Sequence, residues 1–165
     1  IMFEDIMQDI DILTGTIKTI DDAISIALSI ETQGRNFYLG KIDTSTSISA
    51  KDLFIYLAAE EEKHIEYLNE FLNTGQATVV HEKQPPDFSQ SFASEYSGDN
   101  PGEMDVLLGA LRFEQKNEDF YRELAGWAED PKQKAFFERL AVFEHGHMEI
   151  IDGFIEDASQ FRMQT

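Results

Sequence analysis

The stretch Glu61-Glu62-Lys63-His64 recurs as Glu144-His145-Gly146-His147, and reading these two copies together decides the fold. On a helix, residues three apart share a face. Glu61 with His64, and Glu144 with His147, therefore each project a carboxylate and an imidazole the same way. Each pair has a lone glutamate 30 residues upstream, Glu31 before Glu61 and Glu114 before Glu144. One unit thus occurs twice at an offset of 83 residues. The offset lays Ala27-Leu28-Ser29-Ile30-Glu31 on Ala110-Leu111-Arg112-Phe113-Glu114, Phe37-Tyr38 on Phe120-Tyr121, and Leu57-Ala58 on Leu140-Ala141. No gap is needed between the first Glu and the His of either copy.

Working outward, Ile20, Ala23, Ile24, Ala27, Ile30, Gly34, Phe37 and Tyr38 recur at the spacing of an amphipathic helix, with Asp21 and Asp22 suited to the positive end of its dipole. Glu31 falls on the apolar stripe, where an unpaired carboxylate is costly. The polar run Asp43-Thr44-Ser45-Thr46-Ser47 ends this first helix near Ile42 and starts a second near Ser49. The second carries Leu53, Leu57, Glu61, His64, Leu68 and Leu72 along one stripe and stops at Asn73-Thr74-Gly75. A third helix runs from Gly102 or Glu103 to Ala128, with Val106, Ala110, Phe113, Glu114, Phe120, Tyr121 and Leu124 on or beside its inner face. Asp130-Pro131 breaks the chain, and a fourth extends from Pro131 to Ala158 through Phe136, Leu140, Phe143, Glu144, His147, Ile151 and Phe154.

The short links make helices 1 and 2, and 3 and 4, antiparallel neighbours. Residues 76–100 hold Pro85-Pro86, several serines and Gly98-Asp99-Asn100-Pro101, a composition hostile to a long helix. A connection of that length reaches from one end of a bundle to the other, about 35 Å, and makes helices 2 and 3 parallel. The expected architecture is all-α: an N-terminal arm over 1–17, a four-helix bundle over 18–158 with a long crossover between helices 2 and 3, and a tail over 159–165.

Such a bundle brings Glu31, Glu61, His64, Glu114, Glu144 and His147 to its middle. Four carboxylates do not tolerate that proximity without positive charge between them, and two divalent metals supply it. A Glu from each of two helices with a Glu-x-x-His from each of the others is the ligand set of carboxylate-bridged di-iron or di-manganese bundles. Oxygen-rich ligands with one imidazole per metal suit iron or manganese, whereas structural zinc favours thiolates. Geometry makes Glu61 and Glu144 the bridges, with Glu31 and His64 terminal to one metal and Glu114 and His147 to the other. Tyr38 and Tyr121, two turns beyond the lone glutamates, face the same way, and their hydroxyls are placed to bond the bridging carboxylates. The competing reading of the tyrosines is aromatic packing. Alone, Glu60-Glu61-Glu62-Lys63 reads as a solvated helix face, and it is the joint occurrence of two matching units that points to metal. His145, about 100° round the helix from Glu144, is expected at the surface; His81 lies in the crossover.

Composition narrows the function. The 165 residues contain no cysteine, which removes disulfides, iron–sulfur clusters and thiolate sites from consideration and suits a reducing cytoplasm. A formal charge of -19 opposes nucleic acid and anionic membrane surfaces and favours cations. No apolar run approaches the roughly 20 residues of a membrane span, and the N-terminus lacks the pattern of a secretory signal, so a cytoplasmic protein is expected.

With Glu31, Glu61-x-x-His64, Glu114 and Glu144-x-x-His147 on four helices, the chain over residues 20–158 resembles the rubrerythrin branch of the ferritin-like superfamily. The resemblance implies a non-haem di-iron protein that reduces hydrogen peroxide in defence against oxidative stress, with dioxygen or ferrous iron as alternative reactants. It also implies a homodimer formed through helix packing. Classical members append a rubredoxin domain with four cysteines. This chain has none, so an external electron-transfer protein is required. They also carry an extra glutamate one turn after the helix 3 ligand, where this chain has Asn117, with Glu118 as the neighbouring carboxylate. Two other readings are a ferroxidase or iron-handling protein using the same centre, and a metal-free bundle serving as a dimerisation or sensor module.

Overall fold

The computed structural model describes residues 17–76 and 101–163. Among these the secondary structure is four helices and no strand: α1 (Ile20–Thr44), α2 (Ile48–Thr74), α3 (Pro101–Trp127) and α4 (Pro131–Met163). The expected all-α four-helix bundle is what the chain adopts. The arm over 1–16 and the crossover over 77–100 lie outside the described residues.

Local chemistry sets the helix ends. The Thr19 hydroxyl accepts from the Asp22 amide while the Asp22 carboxylate accepts from the Thr19 amide, a reciprocal cap that opens α1. Ser47 caps α2 by accepting from the Ala50 amide. Gly75 closes α2 in the left-handed region at φ 69°, where a residue without a Cβ carries no steric penalty. Asp130 accepts from the Lys132 amide, and Pro131 sits in the first turn of α4. Four of the expected boundaries shift by one or two residues. The end of α4 moves further, to Met163 and not Ala158, because Ser159-Gln160-Phe161-Arg162 contains neither Gly nor Pro to stop it.

Cross-helix contacts give the topology. Along α1 and α2, Tyr38 meets Phe54 and Glu31 meets His64. Along α3 and α4, Glu114 meets His147 and Tyr121 meets Phe137. Tyr38 reaches Glu114 and Tyr121 reaches Glu31, so α1 and α3 are antiparallel. Tyr56 packs on His147 and Phe71 on Phe136, so α2 and α4 are antiparallel too. Every helix therefore runs opposite to both neighbours, and α2 is parallel to α3 across the diagonal, as a long crossover requires.

The internal repeat is also a structural one. Tyr38 stacks on Phe54 at 6.2 Å and 22°, and its counterpart Tyr121 stacks on Phe137 at 6.5 Å and 19°. An approximate two-fold axis thus relates α1–α2 to α3–α4. One stripe position departs from expectation: Leu72 is 41% exposed, and Phe71 takes the inward place, stacked on Phe136 at 4.2 Å. The 3.6-residue period turned the helix just enough to exchange the two.

Gly34 marks the close approach of α1 to α3. A Cβ there would lie 2.8 Å from Cε1 and 2.9 Å from Cζ of Phe113, and 3.4 Å from a Glu61 carboxylate oxygen. Phe113 is fully buried and lies edge-on to Tyr38 at 6.5 Å, so its ring has little room to yield. For Gly34→Ala, a gain of about 1 kcal/mol in helix propensity opposes about 1–3 kcal/mol of overpacking. The expected outcome is a net loss near 1 kcal/mol with weakened metal uptake, read by denaturant unfolding with and without metal. A variant more stable than the wild type would show that the Phe113 ring is free to move.

Candidate metal centre

All six residues singled out by the repeat converge at mid-bundle, and all are buried. Glu31 projects from α1, Glu61 and His64 from α2, Glu114 from α3, and Glu144 and His147 from α4. One ligand atom each from Glu61, His64, Glu144 and His147 lie within 4.8 Å of one another, a grouping that could hold a metal ion.

The two lone glutamates flank this group symmetrically. Nδ1 of His64 is 3.4 Å from Glu31, and Nδ1 of His147 is 3.5 Å from Glu114. Glu144 faces both histidines, with Oε1 3.0 Å from Nδ1 of His64 and Oε2 3.4 Å from Nδ1 of His147. Glu61 Oε1 is 3.9 Å from Nδ1 of His147. The two imidazoles lie nearly parallel, their centroids 5.1 Å apart.

Tyr38 donates to Glu114 and Tyr121 donates to Glu31, so each tyrosine reaches across the two-fold to the lone glutamate of the other half. The sequence placed these hydroxyls in the right region but on the wrong partners, since Glu61 and Glu144 were the expected acceptors. Partner choice depends on the register between α1 and α3, which helical spacing within one helix does not encode.

The donor set fits a hard or borderline divalent cation: carboxylate oxygens and imidazole nitrogens, with no thiolate. Both oxygens of Glu61 and of Glu144, and one each of Glu31 and Glu114, are buried without a hydrogen-bond partner. Unsatisfied buried carboxylates are expensive unless a cation or protons neutralise them.

Without metal, protons take that role. Burial, then the charges of Glu31 and Glu114, push the Glu61 carboxyl well above its usual range. Burial and the charge of Glu31 raise Glu144 to about 8. Burial alone would lower His64, but Glu144 and Glu31 lift it to about 10. Burial would raise Glu31, yet Glu61 and the charge on His64 outweigh it and hold Glu31 at about 2.

Around this symmetric set the halves diverge. Asn117, the counterpart of Gly34, is fully buried, and neither amide atom has a hydrogen-bond partner. Glu118, the carboxylate beside it, is committed elsewhere: Oε1 accepts from Arg122 at 2.7 Å, and Oε2 lies 2.9 Å from Nδ1 of His145. His145, expected at the surface, is half-exposed and bridges Glu118 to Glu149. Its counterpart contact in the first half is the Arg35–Glu62 pair, the same link with the charges exchanged.

A buried acid beside the cluster escaped the sequence reading. Glu60 is 2% exposed, pairs with Lys63, and lies 3.7 Å from His147. The signal was present, because Leu53, Leu57, Glu60 and His64 follow the 4-3-4 spacing of a helix stripe. No helix of the described residues is long and apolar enough to cross a membrane. Comparisons with models of known protein families, with curated proteins and with solved structures return no match.

Proposed function

We propose that the chain is a non-haem di-iron oxidoreductase of the rubrerythrin type within the ferritin-like superfamily. It reduces hydrogen peroxide, or dioxygen, as a defence against oxidative stress, with electrons from an external protein donor. The observation that supports this reading is the pair of matched half-sets, Glu31 with His64 and Glu114 with His147, joined by Glu61 and Glu144 in one buried core. Two iron ions, or manganese in their place, would balance the four carboxylates, and when bound would supply redox chemistry for peroxide reduction.

The protein's own part is positional and electrostatic. Glu31 with His64, and Glu114 with His147, would each hold one metal, and Glu61 and Glu144 would be shared between them. Tyr38 and Tyr121 hold Glu114 and Glu31 in place from the opposite half. Phe113 packs edge-on to Tyr38 and Phe143 stacks on His64, which places apolar surface beside these groups. Since the 165 residues hold no cysteine, no thiolate electron carrier is built from them, and a partner protein delivers the electrons. A homodimer is part of the same proposal.

The reduced protein should consume one peroxide for every two ferrous ions oxidised, then return to the ferrous state when a reductant is supplied. Stopped-flow absorbance with a peroxide electrode reads both. A second reading, ferroxidase, is favoured by the formal charge of -19, which draws ferrous ions towards the surface. Ferric product released into solution, with no repeated peroxide turnover, would establish that reading instead. Failure to take up iron under anaerobic ferrous loading would leave a helical dimerisation or sensor module.

A further inference from the structure

The internal repeat breaks at a position that touches one histidine in each copy. Glu60 stands where the second copy has Phe143. Phe143 stacks on His64, with ring centroids 5.8 Å apart at 17°. Glu60 instead places Oε2 3.7 Å from Nε2 of His147. Nδ1 of His147 is occupied with the cluster, 3.4 Å from Glu144 and 3.5 Å from Glu114, so its two nitrogens face in opposite directions.

Glu60 is 2% exposed, and its ion pair with Lys63 fixes it from the outside, the lysine side chain being 35% exposed. The counterpart of Lys63 is Gly146, so neither member of this pair is repeated. A glutamate needed only for a surface pair with a residue one turn on would remain at the surface. This one is carried inward to the edge of an imidazole.

We infer that Glu60 is a positioning residue for His147, and that it makes the metal position served by His147 and Glu114 the tighter of the two. The inference rests on the dinuclear reading above. A histidine that coordinates through Nδ1 carries its proton on Nε2. A carboxylate at that proton fixes the tautomer and the ring and makes the coordinating nitrogen a better donor. At 3.7 Å the contact is an ion-pair distance, and hydrogen-bond range requires about 0.7 Å of approach. His64, covered by an aromatic ring, receives no such support. A centre whose ligands are symmetric thereby acquires two unequal metal positions.

Calorimetric titration of metal-free protein with Mn2+ tests this. Glu60→Gln removes the charge and keeps the shape. It should weaken the tighter binding step by about 10–100-fold and leave the weaker step nearly unchanged. Lys63→Met, which frees Glu60 from its anchor, should move the same step in the same direction by less. In a His147→Ala background, Glu60→Gln should change nothing further, a non-additivity that a general packing defect would not produce. The melting temperature of metal-free Glu60→Gln reports that it has folded. Both steps shifting equally, neither shifting, or a full effect without His147 would overturn the inference. Wild-type protein that takes up fewer than two ions would overturn the dinuclear reading and this inference with it.

Discussion

Glu61→Gln is expected to strip the centre of metal while leaving the metal-free fold intact. In the metal-free protein burial and its carboxylate neighbours push the Glu61 carboxyl well above its usual range, towards the protonated form. Glutamine has the shape of that protonated form, so the metal-free melting temperature should move by no more than about 2–4 °C. Metal binding has no such tolerance, because in the proposed dinuclear centre the variant deletes an anionic donor that two cations would share. The loss should exceed the roughly 10–100-fold typical of residues that merely support ligands. Elemental analysis after ferrous loading and peroxide turnover should fall together. Glu62→Gln is the control on the same helix. Glu62 is 48% exposed and pairs with Arg35 at the surface, so its removal should cost about 0.2–1 kcal/mol and no metal. Full metal content in Glu61→Gln would exclude Glu61 from the ligand set.

The second large effect is on pH. The raised carboxyl of Glu144, about 8 in the fold against an ordinary 4.5, means that the folded state holds a proton the unfolded chain has released. Its contribution to stability is therefore lost as pH rises from 4.5 through 8. His64, raised from 6.5 to about 10, has the same sign, with stability present below 6.5 and lost as pH climbs through 10. The lowered Glu31, at about 2, has its full contribution in place above 4.5 and adds no slope in this range. Metal-free protein in chelator should accordingly melt at a lower temperature at pH 9 than at pH 6. Metal should reverse the trend, because cations replace the protons on Glu61, Glu144 and His64. Loading at pH 7 should release about two protons per chain from Glu144 and His64, with Glu61 adding to them, measurable by calorimetry in buffers of different ionisation enthalpy. A metal-free melting temperature that rises with pH would mean that the cluster is not held together by protons.

Much of the cluster was legible in the primary structure because its candidate ligands are spaced by local geometry. Glu-x-x-His on a helix needs no tertiary information to put two donors on one face, and the repeat at an offset of 83 residues doubles the signal. Glu31 and Glu114 stood out for a different reason: each is a charge on an apolar stripe, and the structure buries both completely. Glu60 was obscured by its setting. In a run of three glutamates followed by lysine, composition suggests a solvated face, and the buried member is distinguished only by its place in the helical period.

What the sequence alone determined is the set of helices, their caps and the six inward donors, all consequences of period, turn chemistry and the cost of burying charge. The tertiary structure decided the pairings. Tyr38 bonds Glu114 and not a residue of its own half, Glu118 turns outward to Arg122 and His145, and Phe71 displaces Leu72 from the core. It also decided the inequality of the two histidines, one against Phe143 and the other against Glu60. Each of these depends on how far one helix slides and turns against another. That register is set by the packing of all four helices at once, and no single stretch of chain contains it.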